Sequence, residues 1–379
     1  MLKYRYRKMK IGFKLLILLV ISLVVKGCKT ADKDSEDLEQ EPPNIIFMIG
    51  DGMGLTQVST SFYYKDDPSN FERFKSIGIS KTSCTSHKVT DSAAGATAFS
   101  TGEKTYKRAI GVSKDTVSLP TILEQLETEG YKTGLVSLTS ITHATPASFY
   151  AHVKDRDMHE EIAAYLPESG VDFFAGGGLK FFNKRADGKD LYSVLQESYI
   201  MDTVGLNKDL SPENKYGFLL AQNEVPNKTQ GRGDFLKEAT ESALDYLDQS
   251  AVPFFLMVEG SFIDWGGHAE DADMLVQEVL DFDKTIGAVL DFMETHPNTL
   301  LVVTADHETG GTALGKYYEE DPETGKKTEV PDSVAVYFVT DQHTATAVPV
   351  FAKGVGEELF SGVYENNEIY HKFRELLDH

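Results

Sequence analysis

Cysteine is nearly absent: Cys28 and Cys84 are the two in a chain of 379 residues. Two cysteines cannot staple a protein of this size, and they exclude a four-cysteine zinc site and any zinc-finger spacing. A metal bound here takes oxygen and imidazole ligands. Basic charge is also scarce, with 37 Lys and Arg against 59 Asp and Glu and a formal net charge of -22. That balance disfavours a nucleic-acid partner, whose phosphates an acidic surface repels. The longest apolar run, residues 15–25, is too short to span roughly 30 Å of hydrocarbon as a helix. The glycines match neither a GxGxxG nor a P-loop pattern, and no GxSxG elbow occurs, so neither a nucleotide fold nor a Ser-His-Asp hydrolase is supported. What remains, 41% hydrophobic and 25% charged, is the composition of a globular chain with a sizeable core.

The first 14 residues carry Lys3, Arg5, Arg7, Lys8, Lys10 and Lys14 without an acid and lead into the apolar run, the layout of a signal peptide over residues 1–27. Gly27-Cys28 closes the run as in the lipobox of bacterial lipoproteins, which makes Cys28 a candidate for acylation; ordinary secretion is the alternative. Residues 28–43 read as an acidic flexible tether ending in Pro42-Pro43. Removing residues 1–27 takes away seven positive charges and no negative ones, moving the formal charge from -22 to -29. The chain is therefore expected to be exported, in the periplasm or on the membrane of a bacterium, with Cys84 a buried thiol.

From residue 44 onward, short apolar runs alternate with helix-period stretches, which predicts an α/β fold: a large, mostly parallel sheet with helices on both faces, forming one domain over residues 44–379. The strand candidates are 44–49, 132–138, 253–259, 299–305 and 348–352. One helix is predicted from Pro120 to Gly130 and another from Asp271 to Met293. Residues 183–233 show weak periodicity and read as surface loops and short elements.

The polar residues fall at one place in this pattern. Asp51, Glu259, Asp264, Asp306 and His307 all lie at or just beyond the end of an apolar run, the edge of a parallel sheet where ligands bind. Asp264 and His268 are four apart and face one side if the segment is helical. Together with His343 the set comprises four carboxylates and three imidazoles, which suits zinc with a harder, oxygen-bound ion such as magnesium. In TDSAAGATA, residues 90–98, Ser92 precedes small residues that suit a tightly packed helix start, where an anion or a developing alkoxide is favoured. Taken alone, such a serine is more often a cap than a nucleophile.

Taken together, NIIFMIGDGMG, VTDSAAGATAFSTGEKTY, THATPASFYAHVKDR, MVEGSFIDWGGH, VVTADHETGG and QHTATAVPVFAKG resemble the alkaline phosphatase family, in the family's order and across most of residues 44–355. The resemblance implies a three-layer sandwich and hydrolysis of phosphate monoesters through a phosphoserine, with two Zn2+ and one Mg2+ per chain. Ser92 would be the nucleophile and Arg156 the phosphate clamp. One zinc would sit on Asp264, His268 and His343, the second on Asp51, Asp306 and His307, and the magnesium on Asp51, Thr145 and Glu259. Family members are usually homodimers. The best-known bacterial member has Asp where this chain has His143 and Lys where it has Trp265; the His and Trp combination resembles some marine or cold-adapted members. The third metal could therefore differ, and phosphate retention is expected to be weaker. The short interval between His307 and His343 leaves a small or absent crown insertion. A phosphodiesterase or sulfatase of the same superfamily is the nearest rival, though no CxPxR motif is present. A non-catalytic phosphate-binding lipoprotein is the rival from another class; the intact Ser92 and Arg156 count against it.

Overall fold

The run NIIFMIG becomes the strand Asn44–Gly50 (β1), buried at every position after Asn44, as a central strand covered on both faces must be. The computed structural model describes residues 41–207 and 209–378; the segment 1–27, Cys28 and the tether through residue 40 lie outside the described residues. Further strands follow at Ser76–Lys81 (β2), Lys132–Ser140 (β3), Phe173–Gly177 (β4), Tyr199–Asp202 (β5), Lys215–Leu219 (β6), Phe254–Gly260 (β7) and Thr299–Thr304 (β8). After these come Glu308–Thr309 (β9), Ala313–Glu320 (β10), Lys327–Tyr337 (β11), His343–Thr344 (β12), Val348–Gly354 (β13) and Gly362–Glu365 (β14). Ten of them form one sheet in the order β14-β2-β13-β8-β1-β7-β3-β4-β6-β5.

Every pairing in that sheet is parallel except those of β13. The exception has a physical cause. The chain reaches the carboxyl edge of the sheet at β12, and the short link 345–347 cannot cross back to the amino edge. A parallel connection needs a dozen residues or more, so β13 runs down from where it starts. The region 183–233, read from the sequence as surface loops and short elements, supplies β5 and β6 at the sheet edge. Strands of four and five residues are too short to display an alternation.

The two faces of β1 separate two cores. Ile46 and Met48 pack with Leu275, Val279, Phe282 and Ile286 of the helix Ala272–Met293. Ile45, Phe47 and Ile49 pack with Ala93, Ala96 and Phe99 of the helix Ser92–Thr101 and with Phe373 near the end of the chain. This alternation places helices on both faces, the architecture expected from the sequence. The predicted 120–130 helix spans Ile122–Thr128, with Thr121 and Glu124 forming a capping box; Pro120 stands before the cap, outside the first turn. Between His307 and His343 lies the two-stranded hairpin β10–β11, so the crown is small. Among the described residues no helix is long and apolar enough to cross a membrane.

Glu124 also receives His152. The imidazole Nε2 lies 2.9 Å from Glu124 Oε1 and Nδ1 lies 2.8 Å from the Gly111 carbonyl oxygen. Both neighbours only accept, so the ring donates from both nitrogens and is held as imidazolium. Burial opposes the charge, but the hydrogen bonds to Glu124 and Gly111 raise the His152 pKa. Burial likewise opposes the Glu124 carboxylate, and His152 with the Thr121 backbone lowers its pKa. A raised histidine contributes stability that is full below about pH 6.5 and fades as pH rises through its folded value. A lowered glutamate contributes stability that is full above about pH 4.5 and fades as pH falls. The pair is therefore strongest between those limits. His152→Gln is expected to lower unfolding stability by about 1 kcal/mol at pH 6 and by clearly less at pH 9, measured by denaturant titration; equal losses at both pH values refute it.

Candidate active site

The carboxyl edge of the sheet gathers the polar residues because the strands that carry them are neighbours. Asp51 follows β1, Glu259 stands near the end of β7 on one side of it, and Asp306 and His307 follow β8 on the other. Gly52 allows the crowding: its φ is +71°, and a Cβ there would lie 2.7 Å from the Asp264 Cα. Its backbone N–H instead donates to Asp306 Oδ1 at 3.2 Å. After β7 the chain turns into the short helix Phe262–His268, which puts Asp264 and His268 on one side. His343 returns through β12, pairing with Thr309 of β9 beside His307.

Three sets of side chains can each present ligand atoms within 4.8 Å of one another: Asp264, His268 and His343; Asp51, Asp306 and His307; and Asp51, His143 and Glu259. In the first set the two Nε2 atoms of His268 and His343 approach to 3.0 Å, and they lie 3.4 and 3.5 Å from the Asp264 carboxylate. The outer nitrogens are held by backbone carbonyls, His268 Nδ1 at 2.6 Å from Asp341 and His343 Nδ1 at 2.9 Å from Thr90. Imidazoles anchored at Nδ1 with converging Nε2 atoms are arranged as metal ligands. In the second set His307 Nε2 lies 3.1 Å from Asp306 Oδ2, 3.5 Å from Asp51 Oδ1 and 3.3 Å from Ser92 Oγ.

Electrostatics make the same demand. Asp51, Glu259, Asp306 and His307 are all essentially inaccessible to solvent, yet both Asp51 oxygens, Glu259 Oε1 and Thr145 Oγ1 have no hydrogen-bond partner. Burial, then Asp306, Asp264 and Glu259, pushes the Asp51 carboxyl well above its ordinary range. Burial raises Glu259 as well, against a hydrogen bond from Ser137. Such a concentration of buried carboxylates is costly without cations among them. Burial and then His307 lower His343 to about 4, which keeps it neutral and able to coordinate. The donor set thus fits divalent metals. Thr145, expected with Asp51 and Glu259, sits buried with its hydroxyl beside Glu259, and His143 joins Asp51 and Glu259 in the same set.

Ser92 is the first residue of the helix Ser92–Thr101, and its cap is Asp91, which accepts from Ala94 N at 3.2 Å. Gly95 keeps that helix against the metal-side wall: a Cβ there would lie 3.0 Å from the Asp306 Cβ. Asp91 does more than cap. Its carboxylate accepts from the Arg108 backbone N at 3.1 Å and from Arg156 Nη1 at 3.3 Å. Arg156 Nη2 donates to His143 Nε2 at 3.2 Å, so His143 is neutral, as burial and the Arg156 charge require by lowering its pKa well below normal. Arg108 adopts a φ of +79°, a strained conformation for a non-glycine residue. That geometry directs its N–H at Asp91 and its carbonyl at the Arg156 N–H, 2.8 Å away. The sequence reading missed Asp91, Arg108 and Thr309; the adjacency of an acid to Ser92 was the available signal. Trp265 is half-buried and meets Phe262 edge-on at 4.8 Å.

At the mouth lies a cleft of about 250 Å³ whose walls include Lys107, Arg108, Arg156 and His343. Cations lining one cleft of an acidic protein select anionic ligands.

Residues 43–337 match the family described as alkaline phosphatase. Alkaline phosphatase 3 of Bacillus subtilis is 35% identical to this chain over 90% of both proteins. The alkaline phosphatase of the Antarctic bacterium TAB5 is similar in structure with a TM-score of 0.85 and 46% identity, covering 89% of this chain and 98% of its own. A variant of that protein with Mg bound in its M3 site gives a TM-score of 0.86, at 46% identity and covering 89% of this chain and 99% of its own. The cold-active enzyme of Shewanella sp. gives 0.77 at 30% identity, covering 88% of this chain and 99% of its own. With the sheet, the carboxylate and imidazole sets and the serine at the helix start all in place, the chain belongs to the alkaline phosphatase family and hydrolyses phosphate monoesters.

Proposed function

We propose that Ser92 is the nucleophile of a two-step phosphoryl transfer. The observation that carries this reading is the position of Ser92 Oγ, at a helix start and 3.3 Å from His307 Nε2 at the edge of the second ligand set. Asp264, His268 and His343 would hold one zinc, Asp51, Asp306 and His307 the other, and Asp51, Thr145 and Glu259, with His143 adjacent, a magnesium. Bound there, the ions supply the charge that deprotonates a hydroxyl and stabilises oxygens on phosphorus. Arg156, steadied by Asp91 and His143, offers a planar guanidinium to two phosphate oxygens. Ser92 Oγ forms a bond to phosphorus as the ester P–O bond breaks and the alcohol departs. Water then attacks the phosphoserine, freeing phosphate and restoring Ser92, and two inversions give net retention.

Chelation of the purified protein is expected to remove hydrolysis of a chromogenic phosphomonoester by at least about a hundredfold, and zinc plus magnesium to restore it. Activity that survives exhaustive chelation sinks the reading. Trp265 stands where the best-known bacterial member carries a lysine, so Trp265→Lys is expected to tighten inhibition by inorganic phosphate roughly fivefold; unchanged or weaker inhibition refutes it.

The export signal in residues 1–27 and the Gly27-Cys28 pair support placement outside the bacterial cytoplasm, in the periplasm or lipid-anchored through Cys28, where the enzyme recovers phosphate from esters that do not cross the membrane. A homodimer is supported by exposed Ile77 and Ile79 on β2 and Val363 on the edge strand β14 beside it, an apolar strip that a second copy would cover.

A further inference from the structure

Thr309 is fully buried at the junction of the two zinc-type sets; it falls within VVTADHETGG, but no ligand set and no step of the mechanism above uses it. Its hydroxyl lies 2.5 Å from Asp264 Oδ1, in the first set, and 3.2 Å from His307 Nδ1, in the second. The polarity of these contacts follows from the groups. A ligating carboxylate only accepts, so the single hydroxyl proton of Thr309 goes to Asp264. The oxygen can then only accept from His307, which requires the proton on Nδ1 and leaves the Nε2 lone pair facing Asp51, Asp306 and Ser92. One hydroxyl thus selects the tautomer of one ligand and the orientation of another.

The residue is also immobile. Its N–H donates to the Gly52 carbonyl at 3.1 Å, beside Asp51. Its carbonyl accepts from Gln57 Nε2 at 2.7 Å, and across the β9–β12 ladder its partner is His343. The methyl group is fixed as well: Gly267 has no side chain, and a Cβ there would lie 2.9 Å from Thr309 Cγ2. The hydroxyl therefore has no freedom to leave either ligand.

We propose that Thr309 is a positioning residue that couples the two zinc positions, holding Asp264 of one and His307 of the other through one hydroxyl. The proposal rests on the two-zinc reading above. Removing the hydroxyl while keeping the shape weakens both positions together, because each loses the hydrogen bond that orients one of its ligands.

The test titrates the metal-free full-length protein with Zn2+ against a chromophoric chelator, in wild type, Thr309→Val and Thr309→Ser. Wild type is expected to take up two zinc ions tightly. Thr309→Val is expected to bind both about 10- to 100-fold more weakly, and Thr309→Ser, which keeps the hydroxyl, to stay near wild type. Two zinc ions bound by Thr309→Val with wild-type affinity, or weakening of one position alone, overturns the coupling while leaving the two-zinc reading intact. A wild type that takes up no zinc overturns both. Should Thr309→Val fail to fold, Thr309→Ala takes its place in the same zinc titration: weakening of both positions together supports the proposal, and weakening of one alone or of neither overturns it.

Discussion

Ser92→Ala is expected to lower kcat/KM for phosphate monoesters by about a thousandfold to a millionfold, the range seen when a covalent nucleophile is removed. The fold should be untouched. Asp91, not Ser92, caps the helix, alanine is the stronger helix former, and Ser92 Oγ has His307 Nε2 as its one neighbour of note at 3.3 Å. No nearby hydroxyl can substitute: Thr90 Oγ1 is buried and donates to the Asp91 carbonyl at 3.2 Å. Arg156 and the ligand sets remain, so inorganic phosphate should still bind when measured by calorimetry. Acid quenching of wild type during turnover should trap phosphoprotein, and Ser92→Ala should trap none. Retention of a tenth or more of the wild-type rate removes Ser92 from the mechanism.

The second large effect is on stability. Arg232 is buried to within 1% of its side-chain surface, between Glu278 and Asp281, which are equally inaccessible. The guanidinium makes a two-pronged contact with Glu278 at 3.1 and 2.7 Å and reaches Asp281 at 2.7 Å. Lys228 completes the group, with its N–H on Glu278 and its ammonium on Asp281. Burial raises the Glu278 pKa even though Arg232 opposes it. Arg232→Met leaves the buried Glu278 carboxylate without a cation and Asp281 with Lys228 alone, and breaking such a buried pair costs about 3–5 kcal/mol. Replacing Glu278 by Met in the same protein should recover part of that loss, because the carboxylate left unpaired is then gone. A urea midpoint for Arg232→Met within error of wild type, or a double variant less stable than the single by the full cost of each change, contradicts this account. The consequence reaches the active site, since the Arg232 guanidinium lies 5.6 Å from the centre of the Phe262 ring, on the short helix that carries Asp264.

Much of the site was legible because its residues announce themselves by position. Asp51, Glu259, Asp306 and His307 stand where apolar strands stop, and a buried strand followed by a charge has few structural explanations. Asp264 and His268 were legible as a helical pair. Asp91, Arg108 and Thr309 were not, since each acts through a neighbour. Asp91 reads as a cap, Arg108 as one more exposed basic residue, and Thr309 as a hydroxyl in a strand. Only the contacts between Asp91 and Arg156, 65 residues apart, or between Thr309 and Asp264, 45 apart, assign them work.

The sequence by itself determined the class of fold, the central strands and the identity of the ligating side chains, because hydrophobic periodicity and residue chemistry are local properties. Tertiary structure alone decided the rest. It placed β5 and β6 at the edge from a region of weak period, reversed β13 because a short link cannot cross the sheet, and closed Arg232 onto Glu278 and Asp281 of the helix Ala272–Met293. It also brought Ser92 within 3.3 Å of His307 across 215 residues of chain. Each of these depends on which distant segments become neighbours, and that is set by the packing of whole faces and the reach of connections, neither of which is written in any one stretch of residues.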